Sequence, residues 1–304
     1  MEKNTYTFDG LKTTYLPLIE AELNNWLTPR SSCPQEGLFE AARYSTLGAG
    51  KRLRPLLVFA VGDLYAANKK ALLDFACAVE LIHTYSLIHD DLPAMDNDDY
   101  RRGKKTLHKI VGDGIALLTG DFLLTYAFQK ISNSAFLSDS LKVQLIQLMG
   151  ECAGHEGMVG GQYADLTSHQ HPQTPEVLKW MHLSKTGALM KLCTQGACLI
   201  AGISPTTCQS WAELGSRIGL LFQIVDDLLD DLPSTTAKVP LGPSSFISMA
   251  GVENTWIEAR RLKSELIERS LQLDPERPIM IEIIEAITRQ YEQLPQIAPR
   301  ESHL

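Results

Sequence analysis

The sequence predicts an all-α fold, and three observations carry that prediction. Long segments place apolar residues at i, i+3, i+4 and i+7, the spacing of one helical face. Alternating, strand-like runs are scarce. The 44% hydrophobic content is enough for a large core across 304 residues. With no linker or composition break to divide the chain, residues 1–304 read as one domain. That domain is a bundle of about ten or more helices around a deep central cavity, with a loose tail from about residue 293.

Taken in order, the first informative element is Gly48-Ala49-Gly50-Lys51-Arg52-Leu53-Arg54-Pro55. It is not a nucleotide-binding loop: G-x-x-x-x-G-K-[ST] fails at both ends, with Ser45 in place of the first glycine and Arg52 in place of the final hydroxyl. What remains is a helix start, with Pro55 setting the first turn and Lys51, Arg52 and Arg54 near its positive end. Such an end is either an exposed basic terminus or an anion cradle. Next, Ala71 to Ile88 is an apolar, helix-forming run. Thr174-Pro175-Glu176 marks a helix start, with threonine at the N-cap and proline at the first helical position. Leu183 to Ile203, Ser210 to Asp231 and Glu253 to Leu273 read as further helices, and Pro275, Pro278, Pro295 and Pro299 break up the C-terminal end.

The net charge of −8 argues against a nucleic-acid partner, because phosphate backbones attract basic surfaces. No apolar leader is read in MEKNTYTFDG, and no uninterrupted apolar run is long enough to span a bilayer. The six cysteines (Cys33, Cys77, Cys152, Cys193, Cys198 and Cys208) have neither CxxC nor zinc spacing. They are expected to be reduced thiols in a cytoplasmic protein.

The chemistry concentrates at two places. Asp90, Asp91, Asp96, Asp98 and Asp99 fall within ten residues and are followed at once by Arg101, Arg102, Lys104 and Lys105. Carboxylates crowded this closely repel and need cations. Hard Mg²⁺ takes one or two carboxylates and completes its shell with water and phosphate oxygens, and arginines clamp the outer oxygens. A solvated charged turn is the plain alternative, but the apolar run feeding the cluster delivers Asp90 and Asp91 from inside the protein. Downstream, Phe222, Gln223, Asp226, Asp227 and Asp230 stand at offsets of 0, 1, 4, 5 and 8, one stripe on a helix set among apolar neighbours. Two helices that each carry an aspartate pair and a third aspartate suggest two jaws of a metal–diphosphate clamp.

These residues resemble the trans-isoprenyl diphosphate synthases, most closely the bacterial farnesyl diphosphate synthase (geranyltranstransferase) group. Asp90-Asp91-Leu92-Pro93-Ala94-Met95-Asp96 is similar to that family's first aspartate-rich motif, and Asp226-Asp227-Leu228-Leu229-Asp230 to its second. The basic helix start, Gly161-Gln162, Lys185-Thr186-Gly187 and Phe222-Gln223 fall in the family's order, and the likeness covers roughly residues 35 to 290. The resemblance implies a homodimer that condenses isopentenyl diphosphate with dimethylallyl or geranyl diphosphate. It assigns Asp90, Asp91, Asp96, Asp226, Asp227 and Asp230 to about three Mg²⁺ ions. Lys51, Arg54, His83 and Arg102 would hold isopentenyl diphosphate. Arg101 and Lys185 would hold the allylic diphosphate. Thr186, the Lys185 carbonyl and Gln223 would face a developing carbocation. The released diphosphate is the expected proton acceptor, since no side chain is evidently placed as a base. Lys185 lies in otherwise helical sequence, so it is expected to point at an anion.

Tyr85 and Ser86 carry chain-length information. Ser86 lies one turn below Asp90, and Tyr85 lies roughly 7.5 Å below it at helical rise. In similar bacterial synthases an aromatic residue here accompanies a C15 product, so farnesyl diphosphate is expected, with the C20 product as the alternative. His89, His108, His155 and the His169/His171 pair belong to none of these motifs. One departure stands out. Relatives carry two lysines in a longer loop after the second motif; here Lys238 stands in for the first and Pro243 replaces the second. A weakly active or regulatory subunit and, less well matched, a terpene cyclase therefore stay open.

Overall fold

The computed structural model describes residues 7–29, 34–48, 50–170, 174–230, 245–276 and 279–292. They are nearly all helix, as the periodicity predicts: α1 (Phe8–Trp26), α2 (Glu36–Thr46), α3 (Leu53–Leu64), α4 (Lys69–Asp90), α5 (His108–Val111), α6 (Asp113–Ser132), α7 (Asp139–Ala153), α8 (Met158–Leu166), α9 (Pro175–His182), α10 (Ala188–Ala201), α11 (Pro205–Asp230), α12 (Phe246–Leu273) and α13 (Ile279–Glu292). The exceptions are a 3₁₀ turn at Ser168–Gln170, a π turn at Leu183–Gly187 and a two-stranded ribbon, β1 (Tyr100–Arg101) with β2 (Lys104–Lys105). The helices cluster in two compact units. One comprises Asp9–Gly150 with Leu192–Cys208; the other is built mainly from Glu151–Lys191 and the described part of Gln209–Leu304.

In the first unit α4 is the central helix. Asn68 caps it, its side-chain oxygen accepting from the backbone N–H groups of Lys70 (3.0 Å) and Ala71 (3.2 Å). Every residue from Phe75 to Tyr85 is buried, so along this stretch the helix has no solvent face. It packs against α3 and α6. Among the described residues it is also the one helix long and apolar enough to cross a membrane, with a mean hydropathy of 1.4, and 78% of that window is buried inside the protein. Its apolar surface is thus spent on α3 and α6. In α1, Leu11, Tyr15, Ile19 and Leu23 recur every fourth residue, and all four are buried. Tyr15 stacks on Phe59 at 3.9 Å while its hydroxyl reaches Asp63.

In the second unit α9 starts as its sequence dictates, with the Thr174 hydroxyl accepting from the Val177 N–H and Pro175 in the first turn. Ser245 caps α12 in the same way. Along α11 and α12, Arg217 pairs with Glu265 and Arg269 with Glu213. The buried Ile279, Met280, Ile283 and Ile284 of α13 pack toward α12.

Candidate active site

The basic helix start divides into a structural arginine and an anion-facing one. Arg52 caps α3 in the left-handed region (φ 50°) and is 3% exposed. Its guanidinium donates to Glu20 (2.6 Å), Glu80 (2.6 Å) and the Thr46 carbonyl (2.5 Å). That leaves Lys51 exposed and Arg54 half-buried on either side of it. Arg54 Nη1 lies 3.1 Å from His83 Nε2, and Arg102 Nη2 approaches the same nitrogen at 3.5 Å. Burial first, then the charges of Arg54, Arg102, Arg101 and Arg52, hold the His83 imidazole well below its ordinary value. The ring is therefore neutral and accepts from Arg54. Burial and the cations Arg52 and Arg101 also lower the Arg102 pKa. Like charge gathered on a neutral ring is stabilised by a multivalent anion, and planar guanidinium forks suit phosphate oxygens. Of the four residues that the resemblance groups as one substrate set, Arg54, His83 and Arg102 meet in space, while Lys51 stays exposed.

The first aspartate motif begins where α4 ends. The chain folds back so that the Asp96 N–H donates to the Asp90 carbonyl at 2.9 Å. Asp90 is half-buried and Asp96 exposed, whereas Asp91 is 4% exposed and turned inward. Arg101 Nε donates to Asp91 at 2.5 Å, and its Nη2 reaches Asp98 at 3.3 Å. Burial raises the Asp91 pKa, opposed by this arginine. Arg101 is presented by the ribbon, whose turn at Arg102-Gly103 has φ of 52° and 76°. Two consecutive positive φ values make the tight primed turn that suits a hairpin. The turn places adjacent arginines on different tasks, Arg101 on Asp91 and Arg102 on His83. Strands of two residues are too short to produce alternation, so the ribbon leaves no trace in the sequence periodicity.

Below the motif, Tyr85 is 5% exposed. Its phenol is pushed up to about 12 by burial and by Asp90, and its buried hydroxyl has no hydrogen-bond partner. Ser86 bonds back to the His83 carbonyl at 2.9 Å.

In the second unit a polar relay runs along α11. Thr186 Oγ1 donates to Gln223 Oε1 (3.2 Å), Gln223 Nε2 donates to Asp227 Oδ1 (3.1 Å), and the Phe246 N–H donates to Asp227 Oδ2 (2.8 Å). Asp227 is 6% exposed, and burial pushes its carboxyl up to about 6 against those two donors, with Asp230 and Asp165 adding to the rise. Asp226 and Asp230 lie on the exposed side, four residues apart and therefore neighbours on one helical face. Thr186 and Lys185 sit in the π turn, a rare widening of the helix that recurs at functional sites. Glycines let it form against its neighbours. A Cβ at Gly219 would stand 2.6 Å from the Gly187 Cα, and one at Gly161 would stand 2.8 Å from the Lys185 Cα.

Lys185 does point at an anion, but the anion is a protein carboxylate: Nζ lies 2.8 Å from Asp165 Oδ2. The sequence reading passes over Asp165. The available signal was its place on α8, one turn beyond Gln162 and on its face. Lys238 and Pro243 lie outside the described residues.

No three His, Cys, Asp or Glu groups among the described residues converge as a closed metal cage. The donor set nonetheless suits Mg²⁺, which binds through one or two hard carboxylates and takes its remaining oxygens from water and phosphate. Asp90 with Asp96 and Asp226 with Asp230 are such partly or fully exposed carboxylates.

Known proteins share this fold. The crystal structure of an FPP/GFPP synthase from Zymomonas mobilis superposes with a TM-score of 0.82 at 34% identity, covering 92% of this chain and 99% of that one. The fold is that of the isoprenoid synthases. A farnesyl diphosphate synthase from Micrococcus luteus is 44% identical over 246 residues, 79% of this chain and 83% of that protein. A chloroplastic geranylgeranyl pyrophosphate synthase from Arabidopsis thaliana is 39% identical over 250 residues, 79% of this chain and 72% of that protein. The polyprenyl synthetase family profile matches residues 35–239. The chain belongs to the polyprenyl synthetase family and is a prenyl transferase of short-chain type.

Proposed function

We propose that the enzyme condenses isopentenyl diphosphate with dimethylallyl or geranyl diphosphate and that farnesyl diphosphate is its product. The observation that carries this reading is the division of labour within each aspartate pair: one carboxylate is held inside by protein donors while its neighbours face outward. Asp90, Asp96, Asp226 and Asp230 would hold magnesium. When bound, the metal neutralises the diphosphate oxygens and makes the allylic diphosphate a leaving group.

The chain's own residues do the rest. Arg54 and Arg102, set against neutral His83, bind the diphosphate of isopentenyl diphosphate, with Lys51 as an outer cation. Lys185, partly charge-balanced by Asp165, binds allylic diphosphate oxygens, and Arg101 adds positive charge at the first motif. As the allylic C–O bond breaks, oxygen lone pairs on Thr186 and Gln223 face the carbon that becomes positive. Thr186 has committed its proton to Gln223, so its lone pairs remain available. The double bond of isopentenyl diphosphate attacks, and the resulting cation loses a proton to the released diphosphate. The buried Tyr85 ring supports a C15 limit. The exposed Ile115 and Leu118, three residues apart on α6, support a homodimer through that helix.

The test is a product assay with isopentenyl diphosphate and either allylic starter, with and without EDTA. EDTA-sensitive formation of a C15 product is expected. A C20 product would keep the transferase but remove Tyr85 as the limit. Turnover unaffected by EDTA would contradict the magnesium assignment.

A further inference from the structure

Resting on the reading of Tyr85 as the chain-length floor, we propose that His89 is the positioning residue that holds Tyr85 in place, in a slot that Gly120 keeps open. Tyr85 and His89 are four residues apart on α4, and their rings meet edge to face, 5.7 Å between centroids and 78° between planes. The Tyr85 hydroxyl is buried without a hydrogen-bond partner, so no polar anchor sets the ring. Its orientation depends on packing, and an edge-to-face aromatic contact is directional. His89 itself is anchored. Its Nε2–H donates to the Leu117 carbonyl of α6 at 3.0 Å, and the Asp121 carboxylate lies 3.9 Å from the same nitrogen.

Gly120 explains how an imidazole fits between α4 and α6. A Cβ there would overlap the ring, with Nε2 and Cδ2 nearest and Cε1 at 2.8 Å. Any side chain at 120 therefore displaces His89 from the Leu117 carbonyl, and the displacement reaches Tyr85 through the ring contact. The imidazole faces α6, so its effect on the reaction passes through the tyrosine.

The experiment measures the C20:C15 product ratio in His89→Ala, Gly120→Ala and His89→Phe, each alone and in a Tyr85→Ala background, with circular dichroism and thermal unfolding as controls for folding. Losing one edge-to-face contact is expected to raise the ratio roughly two- to tenfold in His89→Ala. Gly120→Ala should move it the same way, and phenylalanine at 89, which restores a ring, should bring it back toward wild type. With Tyr85 already replaced, the position 89 and 120 changes should leave the ratio where Tyr85→Ala sets it. If His89→Ala does not fold, Gly120→Ala and His89→Phe carry the same comparison. An unchanged ratio in His89→Ala and Gly120→Ala, with longer product from Tyr85→Ala, would overturn the brace and leave the floor standing. An undiminished shift in the Tyr85→Ala background would also overturn it, since His89 would then act by another route. C15 product from Tyr85→Ala would overturn the floor reading and this inference together.

Discussion

The two aspartate motifs solve one problem with different partners. In each, the second aspartate is buried and its neighbours face outward. Asp91 is held by a cation, Arg101, delivered from a hairpin ten residues downstream. Among the described residues, Asp227 is held by two neutral donors, the Gln223 amide and the Phe246 backbone N–H, and its carboxyl is pushed up to about 6. A buried carboxylate is expensive unless its charge is met; at Asp91 a cation partly offsets the cost of burial, and at Asp227 the described partners that offset it are neutral. The lesson is that a DDxxD-type pattern is two devices interleaved, outward ligands and inward anchors.

The sharpest way to break this comparison is to remove an outward carboxylate from each motif. Asp90→Ala and Asp226→Ala should each lower kcat by roughly 10²–10³-fold or more, on the scale of losing one transition-state electrostatic group, with helical circular dichroism unchanged. Near-normal rates in either variant would end the clamp account.

Removing the inward carboxylates should separate the two motifs by stability. Asp91→Asn removes the charge-assisted bond to Arg101, which keeps Asp98 as a partner, so a loss near the lower end of the roughly 1.5–3 kcal/mol range for hydrogen bonds to charged groups is expected in urea unfolding. Asp227→Asn keeps an acceptor for the Phe246 N–H, so its loss should be nearer about 1 kcal/mol. Equal losses would show that cation and amide anchoring are equivalent here.

A smaller effect concerns pH. Buried His83 stays neutral below its ordinary value of 6.5, whereas the unfolded chain takes up a proton there. The unfolded state then binds more protons, so stability falls as pH drops through 6.5, by up to about 1.4 kcal/mol per pH unit from this group. His83→Gln should flatten that part of the stability–pH curve, and an unchanged slope would mean that His83 is not the source.

Much of this was legible in the sequence, for identifiable reasons. The run from Ala71 to Ile88 is predominantly apolar and helix-forming, which a central buried helix satisfies, and α4 is that helix. Thr174-Pro175 marks a start whose N-cap bond is present. The two aspartate clusters came from spacing, whereas the cationic set around His83 and the shared role of Thr186 and Gln223 came from the family resemblance, and the bond between those two is a finding of the structure. What escaped depends on tertiary partners. Asp91 and Asp227 look like their neighbours in one dimension, and only Arg101 and Phe246 mark them as anchors. The π turn has the composition of ordinary helix, so the close approach of Gly187 and Gly219 cannot be read from periodicity. Asp165 stands one turn from a motif glutamine but twenty residues from the lysine it pairs with, and His89 gains its place only when Gly120 opens the slot beside it.

The most direct test of outward ligands and inward anchors is calorimetric titration of inorganic diphosphate, in the presence and absence of Mg²⁺, into the wild-type protein, Asp226→Ala and Asp227→Asn. Magnesium-dependent binding is expected in the wild type, weakened at least tenfold in Asp226→Ala and kept within a fewfold in Asp227→Asn, the scale of about 1.4 kcal/mol separating the two. Equal weakening in both variants, or wild-type binding by Asp226→Ala, would contradict the division of roles.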